Sequence, residues 1–358
     1  MKNIIISANK FKNFFLFRYD LIKVLHDKRY NIYLVAEFDG YEIKFKKFNI
    51  INLNFQSNKT SLINDLFLIS NIFRTIRNIK PEYILTFTIK PNIYFSFASK
   101  FFKSKVISNV SGLGSMYLTS KTRRVFSEFL YKISLKGNYV VFFQNKFDLN
   151  YFTKNKITSI NQSDLIPGSG VECRKSYIKT KINKVRKVIF AGRLIYEKGI
   201  IEYINATKKI KNKKFQFYIA GDHDPENSRS IDFSIVKSWM KEKNCYYLNE
   251  VSDLQNELKR FDVLVLPSYR EGLSKVLLEA CNAGLPIITT DVPGCNELVV
   301  NNGFIIEPKS SISLEKALLK FSKLSDDKIL NFGKNSIELI KKKYSIDIVI
   351  DKYLDKIT

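Results

Sequence analysis

The stretch Lys187-Val188-Ile189-Phe190-Ala191-Gly192-Arg193-Leu194-Ile195-Tyr196-Glu197-Lys198-Gly199 decides how the chain folds. Val188 to Ala191 is a short apolar run that reads as a buried strand, a glycine follows at once, and Gly199 to Ile210 has helical periodicity. Strand, glycine turn and helix in that order form one half of a parallel strand-helix-strand unit. In the turn, Gly192 lets the backbone approach a ligand. Arg193 and Lys198 add two cations to a helix N-terminus that already favours anions. A diphosphate suits such a place; a turn with two solvated cations is the other reading of the same residues.

Working outward, the same rhythm runs through the whole chain. Toward the C-terminus, strands are expected at 215–220, 246–248, 263–267, 286–289 and 303–306, and helices near 234–243, 253–260, 274–283, 313–323 and 326–343, with a tail at 346–357. Toward the N-terminus, strands are expected at 3–7, 31–36, 83–87, 106–109, 139–142 and 163–167, with helices near 17–27, 61–78, 92–101, 121–135 and 146–152. At 358 residues the chain exceeds one ordinary core and suits two domains. Pro167-Gly168-Ser169-Gly170-Val171-Glu172 punctuates the rhythm and marks the crossing. The expected division is 1–168, 169–340 and a C-terminal helix over 341–358 that packs back on the first domain. The fold class is therefore α/β, two Rossmann-like doubly wound domains facing a cleft, with ligands outside the carboxyl ends of the strands.

Composition narrows the class. The chain is 45% hydrophobic and 26% charged, the balance of a folded protein, and its apolar runs are of strand length rather than the roughly 20 residues of a spanning helix. The N-terminus reads as a first strand rather than a secretory leader. Cys173, Cys245, Cys281 and Cys295 have no C-x-x-C spacing and only two histidines accompany them, so neither a zinc site nor a disulfide framework is expected and a reducing cytosol fits. The net charge of +25 is weighted to the first 168 residues, which carry 26 Lys and Arg against 10 Asp and Glu. Between Lys90 and Lys136 lie nine basic residues and one acid, Glu128. Such a patch attracts phosphate on a membrane or in nucleic acid, or is simply a solvated basic surface.

A second stretch, Pro267-Ser268-Tyr269-Arg270-Glu271-Gly272-Leu273-Ser274-Lys275-Val276-Leu277-Leu278-Glu279-Ala280, has the same strand-turn-helix form. Ser274 is placed to cap the helix, and Gly272 frees the backbone before it. Glu279 lies inside the helix among apolar neighbours, where a carboxylate needs a partner; ribose hydroxyls would serve, and so would a structural Lys or Arg. Glu271 is able to accept from sugar hydroxyls, while the N–H groups of Gly272 to Ser274 face an anion; otherwise Glu271 is merely exposed.

Together, G-R-L-x-x-x-K-G, L-P-S-Y-R-E-G, the two glutamates eight apart and A-G-L-P-I-I-T-T-D-V-P-G resemble the family 4 retaining glycosyltransferases of GT-B architecture. The resemblance is strong from Phe190 to Glu297 and continues more weakly through the N-terminal half. It implies that Arg193 and Lys198 bind the donor diphosphate, Glu271 the transferred sugar and Glu279 the ribose. It also implies that Gly192, Gly272, Leu273 and Ser274 line the phosphate and sugar site and that Val251 and Asp253 border the base. Asn249-Glu250 stands where the family usually has a glycine, and Ser7-Ala8-Asn9-Lys10-Phe11 replaces its glycine-rich first loop. Thr88-Ile89-Lys90-Pro91-Asn92 has no histidine where many relatives carry one.

What the resemblance implies is a retaining, metal-independent sugar transfer from a UDP-sugar, with no cofactor required. The leaving phosphate takes the acceptor's proton, so no carboxylate pair of the glycosidase kind is needed. Asp222-His223-Asp224 looks like a manganese motif but follows a Rossmann-type strand, and no metal site is expected. Thr88 to Tyr94 and Asn109 to Ser115 look like blocks of the bacterial subgroup that extends polyprenyl-diphosphate-linked saccharides for O-antigen, capsule or glycan assembly. Lys90, Gly112 and Gly114 are then the candidate acceptor residues, unless they form a tight turn with a solvated lysine. The stretch Phe101-Phe102-Lys103-Ser104-Lys105 would rest on the anionic inner leaflet, placing a cytoplasmic enzyme at the membrane surface. A nucleotide-sugar epimerase shares the architecture, and a nucleic-acid-binding protein shares the charge; no nucleic-acid motif is present, and nucleic acid is not an expected partner.

Overall fold

The computed structural model describes residues 2–55, 62–113, 121–173, 176–210 and 214–357. It divides into two compact units, the first running to Ser169 and including Val349 onward, the second running from Gly170 to Ile348.

The first unit is built on a seven-stranded parallel sheet: β1 (Asn3–Lys10), β2 (Asn31–Glu37), β3 (Asn49–Asn52), β4 (Tyr83–Phe87), β5 (Lys105–Val110), β6 (Val140–Phe143) and β7 (Ser163–Leu165). Their order is β3-β2-β1-β4-β5-β6-β7. In register, Ile4 lies between Ile32 and Tyr83. All five residues of β4 are buried, as expected of a strand covered on both faces. The helices are α1 (Phe11–Phe17), α2 (Tyr19–Asp27), α3 (Leu62–Ile79), α4 (Ile89–Ser99), α5 (Lys121–Leu135) and α6 (Lys146–Lys154). In α3, Leu68, Ile72, Ile76 and Ile79 recur at helical spacing and pack against Ile5, Ile84 and Phe95. Emptying one such position, as in Ile72→Ala, costs about 2–5 kcal/mol. Because β1 has β2 on one side and β4 on the other, the strand order reverses at the carboxyl ends of β1 and β4, the switch point of this sheet.

Three local expectations change here. The first helix is two helices meeting at Arg18, because β1 runs on to Lys10 through an irregularity after Ser7 and Phe11 and Phe14 are already buried as a helical pair. The edge strand β3, only Asn-Ile-Ile-Asn, is too short and too polar at its ends to stand out in the sequence; pairing with β2 creates it. Residues 89–91 begin α4 rather than forming a loop, so Lys90 lies in a helical first turn.

The second unit carries a six-stranded parallel sheet of order β10-β9-β8-β11-β12-β13. Its strands are β8 (Arg186–Ala191), β9 (Phe215–Ala220), β10 (Cys245–Tyr247), β11 (Val263–Leu266), β12 (Ile287–Thr290) and β13 (Gly303–Ile306). Around them lie α7 (Ile200–Lys209), α8 (Phe233–Trp239), α9 (Leu254–Leu258), α10 (Lys275–Asn282), α11 (Ser311–Ser322) and α12 (Asp326–Leu339). The last of these continues as a π-helical turn, Ile340–Tyr344, and α13 (Ile346–Ile357) follows. From Val349 on, α13 belongs to the first unit: the Tyr353 ring meets Phe142 and Phe87 edge-on, and its hydroxyl accepts from Asn109 Nδ2 at 2.7 Å. No helix among the described residues is long and apolar enough to cross a membrane.

Candidate functional site

In the second unit the two motifs read from the sequence are pressed together by their backbones. After β8, the Gly192 N–H donates to the Ala220 carbonyl (2.9 Å) and the Leu194 N–H to the Asp222 carbonyl (3.1 Å), so the turn is fixed by the loop after β9. A short 3-10 turn, Tyr196–Lys198, ends at Gly199, whose left-handed φ of 72° starts α7. A Cβ on Gly199 would lie 2.0 Å from the carbonyl oxygen of Pro267, so only glycine lets the first motif touch the loop after β11. The Tyr269 N–H donates to the Glu197 carbonyl across this contact (2.8 Å). Lys198 Nζ thereby reaches Glu271 Oε1, which also accepts from Ser268 Oγ at 2.8 Å. Both partners of the ion pair are largely shielded from water.

The Glu271 loop is held from below by a third segment. The Glu271 N–H donates to the Pro293 carbonyl (3.2 Å) and the Ser274 N–H to the Gly294 carbonyl (3.0 Å). Gly294, at φ 78°, brings its backbone so close that a Cβ there would lie 2.5 Å from the Gly272 oxygen. Ser274 then caps α10 through its hydroxyl, and the neighbouring Leu273 N–H has no acceptor among the described residues. A helix N-terminus with an open amide and a lysine beside it is suited to negatively charged oxygens.

Arg193 differs from Lys198. Its side chain is accessible, and among the described residues its guanidinium makes no hydrogen bond or ion pair, leaving its fork of donors open. Desolvation, then the Arg229 charge, lower its pKa from the ordinary value, against the pull of Glu271, Glu197 and Asp224. Glu279, on α10, is pushed the other way: burial raises its pKa, Lys275 opposes this from 3.8 Å, and Asp253 adds to it. Lys275, one helical turn earlier, is thus the structural cation that the sequence allowed as an alternative partner.

Asp253 caps α9 by accepting from the Asn256 N–H (3.1 Å), and Val251 packs on the core of this unit. Asn249, before them, has φ 58°, the left-handed conformation that asparagine tolerates and glycine takes freely, and its carbonyl accepts from the Gly221 N–H. In Asp222-His223-Asp224 the His223 ring bonds through Nε2 to the Ile231 carbonyl at 2.9 Å. Among the described residues no cluster of three or more His, Cys, Asp or Glu is placed to hold a metal ion.

The residues proposed for an acceptor belong to the first unit. Lys90 is engaged with Asp65 at 3.1 Å. Gly112 has φ 122°, and the next residue, Leu113, donates its N–H to Asp148 Oδ2. Gly114 lies outside the described residues. Sequence reading passed over Ser268, whose hydroxyl orients Glu271, and Pro293 and Gly294, whose carbonyls fix that loop; the P-G pair just after β12 was the available signal. It also passed over the outer face of α5, where Val125, Phe126, Phe129 and Ile133 are exposed beside Lys121, Arg123, Arg124 and Lys132, a stronger amphipathic surface than Phe101 to Lys105. Within the latter stretch Phe101 is exposed, while Lys105 begins β5 and lies over the rings of Tyr83 and Tyr139.

Known proteins match both halves. Residues 175–339 match the family "Glycosyl transferases group 1" and residues 4–145 match "Glycosyl transferase 4-like". The chain is 25% identical to the N,N'-diacetylbacillosaminyl-diphospho-undecaprenol alpha-1,3-N-acetylgalactosaminyltransferase of Campylobacter jejuni, covering 94% of this chain and 93% of the relative. It is 26% identical to the UDP-Gal:alpha-D-GlcNAc-diphosphoundecaprenol alpha-1,3-galactosyltransferase of Escherichia coli, over 82% of this chain and 80% of that one. Its fold is similar to that of Anabaena Alr3699/HepE, solved in complex with UDP and glucose, with a TM-score of 0.79 at 15% identity over 100% of this chain and 99% of the other. Transferase matches over both halves leave the epimerase and nucleic-acid readings without support.

Proposed function

We propose, from the premise that this chain belongs to the family 4 glycosyltransferases of GT-B fold, that it transfers a sugar with retention from a UDP-sugar to a polyprenyl-diphosphate-linked saccharide. The transferred sugar on this reading is an N-acetylhexosamine, as in the name of the Campylobacter relative. One observation carries the reading: Gly199 abutting Pro267 brings Lys198, Glu271 and the capped start of α10 to one place, with Arg193 open on the same turn.

On this reading the donor diphosphate lies against Arg193, Lys198 and the α10 N-terminus, Glu271 accepts from the sugar hydroxyls, and Glu279 accepts from the ribose. The C1–O bond to the diphosphate breaks and its electron pair stays on the leaving phosphate oxygen. The acceptor hydroxyl attacks C1 from the same face and gives its proton to that oxygen. Arg193 and Lys198 stabilise the charge that develops as the bond breaks. Two cations and a helix N-terminus supply this neutralisation, which supports the reading as metal-independent. Lys198 is shared between Glu271 and the phosphate, so neither side-chain charge is left isolated.

The exposed apolar and basic face of α5, with Ile63, Leu66 and Phe67 exposed on α3, supports peripheral binding to the anionic inner face of the membrane, where a lipid-linked acceptor resides. The functional test is transfer from a panel of UDP- and GDP-sugars to lipid-linked oligosaccharides in a membrane extract, with Glu271→Ala and Arg193→Ala in parallel. Transfer from a UDP-sugar that both substitutions abolish is the expected result; wild-type-like transfer by both refutes the site. Phe126→Ser with Phe129→Ser is expected to lower co-sedimentation with anionic vesicles, and unchanged binding would remove α5 from the reading.

A further inference from the structure

The first unit contains a cation that the donor site does not use. Arg18, between α1 and α2, is 6% exposed, and its Nε is buried with no hydrogen-bond partner. Its guanidinium carbon lies 4.3 Å from the centre of the Phe87 ring, and among the described residues no carboxylate pairs with it. A buried charge of this kind is costly, and native chains keep one where something completes it.

Its position says what that is. Phe87 is the last residue of β4, and Thr88 after it is the N-cap of α4, an 11-residue helix. Thr88 has φ 71°, a strained conformation for a β-branched residue. Its hydroxyl is spent on the end of β1, accepting from the Asn9 N–H (3.1 Å) and donating to Asn9 Oδ1 (2.9 Å), and it does not cap α4. The Ile89 N–H has no acceptor among the described residues, and the first turn of α4 contains no acidic residue. The carboxyl ends of β1 and β4, tied together by Asn9 and Thr88, flank the switch point of this sheet. An uncapped helix start and, over the ring of Phe87 two residues before it, a buried guanidinium with no carboxylate partner among the described residues thus occur together where an open α/β sheet takes its ligand.

We propose that Arg18 and the N-terminus of α4 form an anion-binding site of the first unit that takes the diphosphate of the lipid-linked acceptor. The identification of the anion as the acceptor's rests on the function proposed above; the existence of the site does not. Phe87 holds the guanidinium plane by cation–π contact, which leaves its edge for two parallel hydrogen bonds to phosphate oxygens.

The test has two arms. In the first, inorganic pyrophosphate is titrated into the isotope-labelled full chain and the amide of Ile89 and the Nε–H of Arg18 are followed by NMR. Saturable shifts at both, with the Ile89 shift lost in Arg18→Met and weakened in Arg18→Lys, are expected. No shift in the wild type, or the same Ile89 titration in Arg18→Met, overturns the site. Methionine is chosen because an apolar chain of similar length replaces a buried charge without leaving a cavity, and a matching thermal midpoint verifies the fold. In the second arm, Arg18→Met is expected to raise KM for the lipid-diphosphate acceptor about 10- to 100-fold while KM for the UDP-sugar stays within about twofold. A rise in the donor's KM instead assigns the anion to the donor and overturns the acceptor assignment. Pyrophosphate binding with no effect on acceptor KM shows a site for free phosphate and also overturns it. Absence of transfer from every UDP-sugar refutes the proposed function and leaves the pyrophosphate arm standing as the test of the site.

Discussion

Lys198 in the second unit and Arg18 in the first are both shielded cations near the carboxyl ends of parallel strands, yet they are held in opposite ways. Lys198 is paired with Glu271, and that pairing depends on glycines at 199 and 294 that let three backbone segments touch. Arg18 has no carboxylate partner among the described residues and lies over the ring of Phe87, after which Thr88 takes the strained conformation. A paired cation with an open neighbour, Arg193, is poised to share charge with a ligand whose own charge grows during reaction. An unpaired buried cation gains most from a ligand whose charge is fixed. On the proposed reading, the second unit carries the chemistry and the first holds the acceptor.

The largest effect that would break this comparison is expected at Arg193. Arg193→Ala should lower the transfer rate by ~10²- to 10³-fold with an unchanged thermal midpoint, because it removes stabilisation of the leaving group without touching a packed residue. A rate within threefold of wild type would take Arg193 out of the chemistry. Next is Gly199→Ala, which puts a methyl group into the Pro267 carbonyl at a positive φ; it should cost roughly 2–5 kcal/mol in denaturant unfolding and reduce transfer together with it. Full stability in this variant would show that the two loops are not fixed by that contact.

A smaller effect is expected at Glu279. Glu279→Gln should raise KM for the UDP-sugar about tenfold, the loss of a charged acceptor for ribose hydroxyls. Its stability should move the other way. Burial raises the pKa of Glu279 in the fold, so its contribution is most favourable below the unfolded carboxylate value and is lost as pH rises through the folded value. At neutral pH the glutamine variant should therefore melt slightly higher than wild type, and the gap should close on acidification; a gap that widens toward low pH would reverse the sign assigned here. The smallest expectation is no effect at all: EDTA should leave transfer unchanged, and loss of activity restored by a divalent cation would require a metal in the neutralisation now given to Arg193 and Lys198.

Much of this was legible in the sequence because the strands of a parallel sheet are short, largely apolar runs bounded by turn residues. Tyr83 to Phe87, Phe215 to Ala220 and Gly303 to Ile306 were placed to the residue, as was the helix Lys121 to Leu135. What was not legible depends on neighbours. Asn49 to Asn52 is a strand only because β2 offers it an edge, and the helix expected near residue 17 broke at Arg18 because β1 ended later than its apolar run. Lys90 carried the right charge for an acceptor, but Asp65, 25 positions away in the chain, already engages it.

The sequence by itself determined the strand-helix alternation, the two glycine turns and the types of residue at Arg193, Lys198, Glu271 and Glu279, since strand burial, turn conformation and charge are local properties of the chain. Tertiary structure alone decided which charges are paired and which are left open. Lys198 meets Glu271 across 73 positions, Lys90 meets Asp65 across 25, and Arg18 is buried with no carboxylate partner among the described residues. Pairing and desolvation depend on distances between segments remote in sequence, and those distances are set when the sheets pack.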